Sequence, residues 1–97
     1  MKREIEQKKS FRQDLKREAR GKYRNLLRPD GELKYVIAKL ANDESLDANY
    51  RDHPLRHNLE GKRECHLRHD FLLVYSYEGE DLLILEGLGT HSETLGL

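Results

Sequence analysis

The chain has one cysteine, Cys65, so no disulfide can close within it, as expected of a reducing compartment. No apolar run is long enough to span a bilayer, and the opening Met1-Lys2-Arg3-Glu4 carries no hydrophobic signal character, so a cytoplasmic protein without a membrane role is expected. Also missing are a phosphate-cradling glycine loop, a serine or cysteine nucleophile motif, and the Cys-x-x-Cys and His-Glu-x-x-His frames of zinc sites. Net charge is absent as well, with 18 Lys/Arg against 18 Asp/Glu. The balance hides an asymmetry. Positions 1–28 hold eleven Lys/Arg and four Asp/Glu, whereas Glu78 onward holds five acids and no Lys or Arg. A basic helical face of this kind binds RNA phosphates or an acidic partner protein, or is simply a solvated surface.

What is present fits one domain over residues 1–97, too short for a second core. Glu4-Ile5-Glu6-Gln7 is a weak edge-strand candidate. Ser10 suits an N-cap, and Phe11, Leu15, Ala19 and Tyr23 follow it as one helical stripe that Gly21 or Pro29 ends. After the turn Arg28-Pro29-Asp30-Gly31, the residues Leu33, Val36, Ile37 and Leu40 draw a second stripe, closed by Asn42-Asp43-Glu44-Ser45. The two stretches predict an antiparallel helical hairpin. Asp47 to Gly61 reads as a loop. Three strands should follow: Lys62 to Leu67, Phe71 to Tyr75 and Leu82 to Leu85, the last two joined by Glu78-Gly79-Glu80-Asp81. The expected class is α+β, an N-terminal helical hairpin packed on a small antiparallel sheet.

Five histidines fall in the second half, and three of them stand with Asp70 at strand ends or loops: His53, His66 and His91. Cleaving RNA without a metal needs one group to take the ribose 2′ proton, another to protonate the 5′ leaving oxygen, and cations to offset phosphorane charge. Imidazoles serve the first two roles and a carboxylate fixes the tautomer. Arg51, Arg63 and Arg68 are near enough in sequence to contact phosphates, and Phe71 to stack on a base. The bland readings are a surface histidine, a turn-capping Asp70 and a core Phe71. A zinc site from Cys65, His66 and His69 is the chief rival, but strand neighbours point to opposite faces, so no metal or other cofactor is expected. His57 and His69 read as surface residues.

The runs Tyr50-Arg51-Asp52-His53-Pro54-Leu55, Gly61-Lys62-Arg63-Glu64-Cys65-His66, Asp70-Phe71-Leu72-Leu73-Val74-Tyr75 and Gly89-Thr90-His91-Ser92 together resemble the YafQ-type toxins of the RelE superfamily. The resemblance implies a RelE-like microbial RNase fold and a ribosome-dependent mRNA endonuclease. Such an enzyme cuts mRNA in the ribosomal A site by 2′-OH attack without a metal. It also implies a cognate antitoxin, DinJ- or RelB-like, as partner beside ribosome and mRNA. By position, His91 resembles the proton-transfer residue nearest the scissile phosphate, His66 and Asp70 its companions, and His53 a substrate-side or orienting residue. Phe71 stands where these toxins usually carry tryptophan.

The chain departs from the resemblance at two places. Gly87-Leu88 stands where the family usually has Arg-Thr, and Leu95 where it usually has an aromatic residue. Losing a cation beside the phosphate costs on the order of a hundredfold in rate. Zero net charge is likewise unusual for a protein that docks on ribosomal RNA. The second reading is therefore a binding toxin of the same fold without nuclease activity, directed at gyrase as ParE-like relatives are, or a weakened homologue.

Overall fold

The computed structural model describes residues 2–95. The chain opens on strand β1 (Glu4–Gln7), followed by helix α1 (Lys9–Glu18), a 3-10 turn (Arg24–Leu27) and helix α2 (Glu32–Ala41). Then come a two-residue strand β2 (His53–Pro54), the long strands β3 (Lys62–Arg68), β4 (Phe71–Glu78) and β5 (Leu82–Gly89), and a short helix α3 (His91–Leu95). The five strands lie in the order β1-β5-β4-β3-β2. The pairs β2–β3, β3–β4 and β4–β5 are antiparallel, whereas β1 is parallel to β5.

This corrects the expected N-terminal helical hairpin. The chain begins with a strand, the sheet is mixed, and a 3-10 segment replaces a tight turn between the helices. All four residues of β1 are exposed, so backbone pairing with β5 holds the strand in place and no apolar pattern marks it.

Helix α1 also starts differently from expectation. Lys8 is its N-cap, and the Ser10 hydroxyl instead donates to the Glu86 carbonyl at 2.6 Å. One turn on, Asp14 Oδ2 accepts the Leu88 N–H at 3.0 Å, and Arg17 Nη2 donates to the Leu88 carbonyl at 2.9 Å. Positions 10, 14 and 17 share one helical face, so α1 satisfies the backbone of β5 beyond the point where β1 stops. Helix α2 buries Leu33, Val36 and Leu40 at the expected spacing. Its N-cap Gly31 is forced, since a Cβ there would lie 2.6 Å from the Leu26 carbonyl oxygen.

The sheet has two unlike faces. Cys65 and Leu67 of β3, Phe71, Leu73 and Tyr75 of β4, and Leu83, Leu85 and Leu88 of β5 form the core with Phe11 and α2. Strand alternation sends Lys62, Glu64 and His66 to the other face. Two irregularities keep the faces apart. Leu67 is the extra residue between the His66 and Arg68 pairs, and Glu86 the extra residue between Leu85 and Gly87. The second bulge returns Leu88 to the core and leaves Gly87 and Gly89 opposite Val74 and Leu72.

Candidate functional site

The face of the sheet away from the core gathers the frame residues. His53 pairs in register with Glu64, and its Nε2 lies 2.8 Å from Glu64 Oε1. His66 lies two residues along β3 from Glu64, hence on the same face, and its Nε2 is 3.7 Å from that same oxygen. The His66 ring is flanked by His53 at 6.1 Å and by His91 at 5.5 Å, centroid to centroid. The three imidazoles therefore converge, with His66 buried and its two neighbours open to solvent.

His91 is placed by the end of β5. Gly89 has φ +150, and a Cβ there would come within 2.7 Å of Arg17 Nη2, so only glycine fits this turn into the site. Thr90 and Glu93 then cap α3 reciprocally: the Glu93 N–H donates to Thr90 Oγ1 at 3.1 Å, and the Thr90 N–H to Glu93 Oε1 at 3.0 Å. Arg17 Nε holds Glu93 Oε2 at 3.3 Å, tying this cap to α1.

Asp70, in the turn between β3 and β4, accepts two hydrogen bonds from His91 on one oxygen. One comes from the backbone N–H at 2.9 Å and one from Nδ1 at 2.7 Å. A carboxylate only accepts, so Nδ1 carries hydrogen and Nε2 is the nitrogen left for a substrate. The backbone hydrogen bond from His91, and then its ring, hold the Asp70 carboxyl below the usual carboxylate range. Burial first, and then the Arg51 guanidinium, push the His66 pKa down; Glu64 opposes that shift and His91 adds to it. His66 is accordingly neutral near neutral pH. Arg51 reaches this position from a left-handed backbone, φ 47, just before β2.

Three expected RNA contacts are placed elsewhere. Phe71 is 1% exposed and packs on Tyr23 with ring centroids 4.7 Å apart, so no face is open to a base. The start of β4 puts it with Leu73 and Tyr75 on the core side. Arg68 turns to the helix side, its Nη1 3.0 Å from Glu32 Oε2 of α2. Arg63, cross-strand from Tyr75, donates from Nε to the Tyr75 hydroxyl oxygen at 3.2 Å and lies 3.4 Å from Asp52 Oδ2. His57 and His69 are exposed, as expected of surface residues.

Sequence reasoning missed Glu64, although its i, i+2 spacing to His66 on a strand was a usable signal. Its carboxylate is buried, Oε1 shared by the two imidazoles and Oε2 without a hydrogen-bond partner among the described residues; the buried His66 ring has the Tyr50 backbone beside it. Ligand atoms of His53, Glu64 and His66 all lie within 4.8 Å of one another. Two imidazoles and a carboxylate form a donor set that suits zinc or copper, so these residues fit a divalent ion. The Cys65, His66 and His69 grouping is not formed: Cys65 points into the core, where burial pushes its thiol up to about 12.

Above Gly87 the same face opens into a polar cleft of about 200 Å³, lined by Ser10, Asp14, Lys62, Glu86, Glu93 and Thr94 among others. Buried Glu86 accepts from the Ser76 hydroxyl at 2.7 Å and lies 3.1 Å from Lys8 and 3.6 Å from Lys62. Those partners outweigh its desolvation and keep its pKa low. Among the described residues, no helix is long and apolar enough to cross a membrane.

Comparison with known proteins bears on the family and the fold. Residues 3–96 match the family described as "Bacterial toxin of type II toxin-antitoxin system, YafQ". The chain is 34% identical over 95 residues to the mRNA interferase toxin YafQ of Escherichia coli strain B/BL21-DE3, covering 97% of each. A copper-bound mutant toxin from Helicobacter pylori superposes with a TM-score of 0.82 at 36% identity, over 96% of this chain and 98% of that one. The E. coli DinJ–YafQ complex superposes with a TM-score of 0.75 at 36% identity, over 93% and 94%. On sequence and fold together, the chain belongs to the YafQ family of type II toxin–antitoxin toxins.

Proposed function

We propose that the protein is an mRNA interferase, an endoribonuclease that cuts mRNA in the ribosomal A site by metal-independent attack of a ribose 2′-OH. The observation that carries the reading is the meeting of neutral His66 with an Asp70-oriented His91 on one face of the sheet, ring centroids 5.5 Å apart. His66, unprotonated near neutral pH, takes the 2′ proton as the 2′ oxygen bonds to phosphorus. The bond from phosphorus to the 5′ oxygen breaks, and His91, acting as an imidazolium that keeps its Nδ1 hydrogen on Asp70, delivers the Nε2 proton to that oxygen. The products are a 2′,3′-cyclic phosphate and a 5′-hydroxyl. Arg51, beside His66, offsets the extra charge of the phosphorane. His53 sits on the solvent side of His66 and meets the substrate.

A divalent ion held by His53, Glu64 and His66 would bring Lewis-acid charge to the cleft. Loading it would occupy the imidazole that the cleavage uses as base.

The partner under this reading is a cognate antitoxin, as DinJ is for the E. coli relative. A groove of about 200 Å³ between α1 and α2 is floored by Phe11, Leu15, Leu33 and Ile37, with Arg28 and Lys34 among its lining. It suits an amphipathic segment with an acidic border. One observation favours the second reading, a toxin that binds without cutting: Gly87 places no cation in the cleft above it.

Induction in bacteria tests the reading. Growth should stop with arrested translation, and His91→Ala should relieve the arrest while the protein still accumulates folded. Arrest that persists in the variant, or that presents as a DNA-damage response, would overturn it.

A further inference from the structure

The loop that brings His53 to the site is packed on the core at Tyr50, three residues earlier, but beyond that point its backbone has little to hold it. β2 is two residues long, paired only at His53 with Glu64 and Pro54 with Arg63, and followed by one more backbone bond from Leu55 N–H to the Lys62 carbonyl at 2.8 Å. A strand this short does not fix a side chain by backbone pairing alone. His53 nevertheless sits 2.8 Å from Glu64.

The residue before it explains why. Asp52 accepts a hydrogen bond on Oδ1 from the Tyr75 hydroxyl, while its Oδ2 lies 3.4 Å from Arg63 Nη2. Arg63 closes the ring by donating from Nε to the Tyr75 oxygen at 3.2 Å. Tyr75 is 1% exposed in the core of β4, so this anchor point does not move. Successive side chains of an extended segment leave on opposite faces. Fixing Asp52 on the core side of β3 therefore aims His53 at the other side, toward Glu64 and His66.

We propose that Asp52, Tyr75 and Arg63 form a latch that positions His53 over Glu64, and that Arg63 acts through this latch and not by contact with RNA. The three pair with one another on the core side of β3, on the opposite side from the histidine cluster, so they are positioning residues. Burial and the Asp52 carboxylate push the Tyr75 pKa up, so its hydroxyl stays a donor at any working pH. The consequence for cleavage rests on the nuclease reading; the placement of His53 does not.

Tyr75→Phe removes one oxygen and keeps the ring, and Asp52→Ala cuts the same latch from a partly exposed position should the first variant fail to fold. Two readouts separate the latch from the nuclease reading. In ring N–H correlation spectra of folded protein, the His53 signals should shift or broaden in either variant, while those of His57 and His69 stay. Unchanged His53 signals would overturn the latch whether or not the protein cuts RNA. In the cleavage assay, either variant should lower kcat about tenfold or more with little change in KM. The same change made on a His53→Ala background should cost less than about twofold, because the residue being positioned is already gone. An equal cost in both backgrounds would mean the three residues serve the fold alone, and would overturn the proposal.

Discussion

Glu64→Gln separates the chemistry of the site from its packing, because it keeps the shape and removes the charge. Oε1 of Glu64 lies 2.8 Å from His53 Nε2 and 3.7 Å from His66 Nε2, and the buried Oε2 has no hydrogen-bond partner among the described residues. A hydrogen bond to a charged group contributes about 1.5–3 kcal/mol where a neutral one contributes about 1 kcal/mol. The difference, about 0.5–2 kcal/mol of ordering at the imidazole site, corresponds to a roughly two- to thirtyfold loss of cleavage rate. Stability should move the other way or stay. His66 is neutral and His53 is exposed, so neutralising Glu64 strands no buried charge and relieves a desolvated carboxylate. Glu64 also raises the proton affinity of His66 against burial and Arg51, so the variant should move the His66 titration further down. Histidine-resolved NMR titration, the melting temperature and single-turnover cleavage together make the assay. Wild-type cleavage, or a His66 titration that stays or rises, would refute the reasoning.

Three further outcomes are expected. Arg51→Gln removes the cation that disfavours protonated His66, so the His66 titration should rise while KM for RNA increases; a titration that falls instead would remove Arg51 from the cleft. Gly87→Arg should raise cleavage about tenfold or more: the cleft above has room for the guanidinium, a Cβ there makes an ordinary contact with Thr94 Cγ2 at 3.8 Å, and Asp14 Oδ2 at 3.3 Å need give by only a few tenths of an ångström; unchanged activity would show that the cation is supplied elsewhere. Stability should fall with pH below the ordinary imidazole value of 6.5: the unfolded chain binds a proton there that buried His66, facing Arg51, His91, His53 and Glu64, resists. Chemical denaturation of His66→Gln beside the parent, across that range, checks this, and equal slopes would contradict it.

The three long strands are legible because their apolar runs and the Gly79 turn carry the usual signals, and α2 because its stripe is regular. Strand β1 and the start of α1 are not. Glu4–Gln7 is held by backbone pairing, and Ser10, Asp14 and Arg17 cover the β5 backbone with polar atoms, whereas pattern reading follows apolar ones. At the site, His53, His66, Asp70 and His91 do converge, from four separate stretches of chain. Alternation along β3 and β4 is a further signal in the sequence. It places Glu64 beside His66 and turns Phe71 and Arg63 to the core side. The bulges at Leu67 and Glu86, which rephase the strands beside the cleft, have no signal in composition or period.

The most direct test of the central claim is primer extension on mRNA in a purified translation system, with and without ribosomes, comparing the natural sequence with His91→Ala. The account predicts cuts that require ribosomes and vanish in the variant. No cuts from the folded natural protein, or cuts that survive the loss of the imidazole, would contradict it.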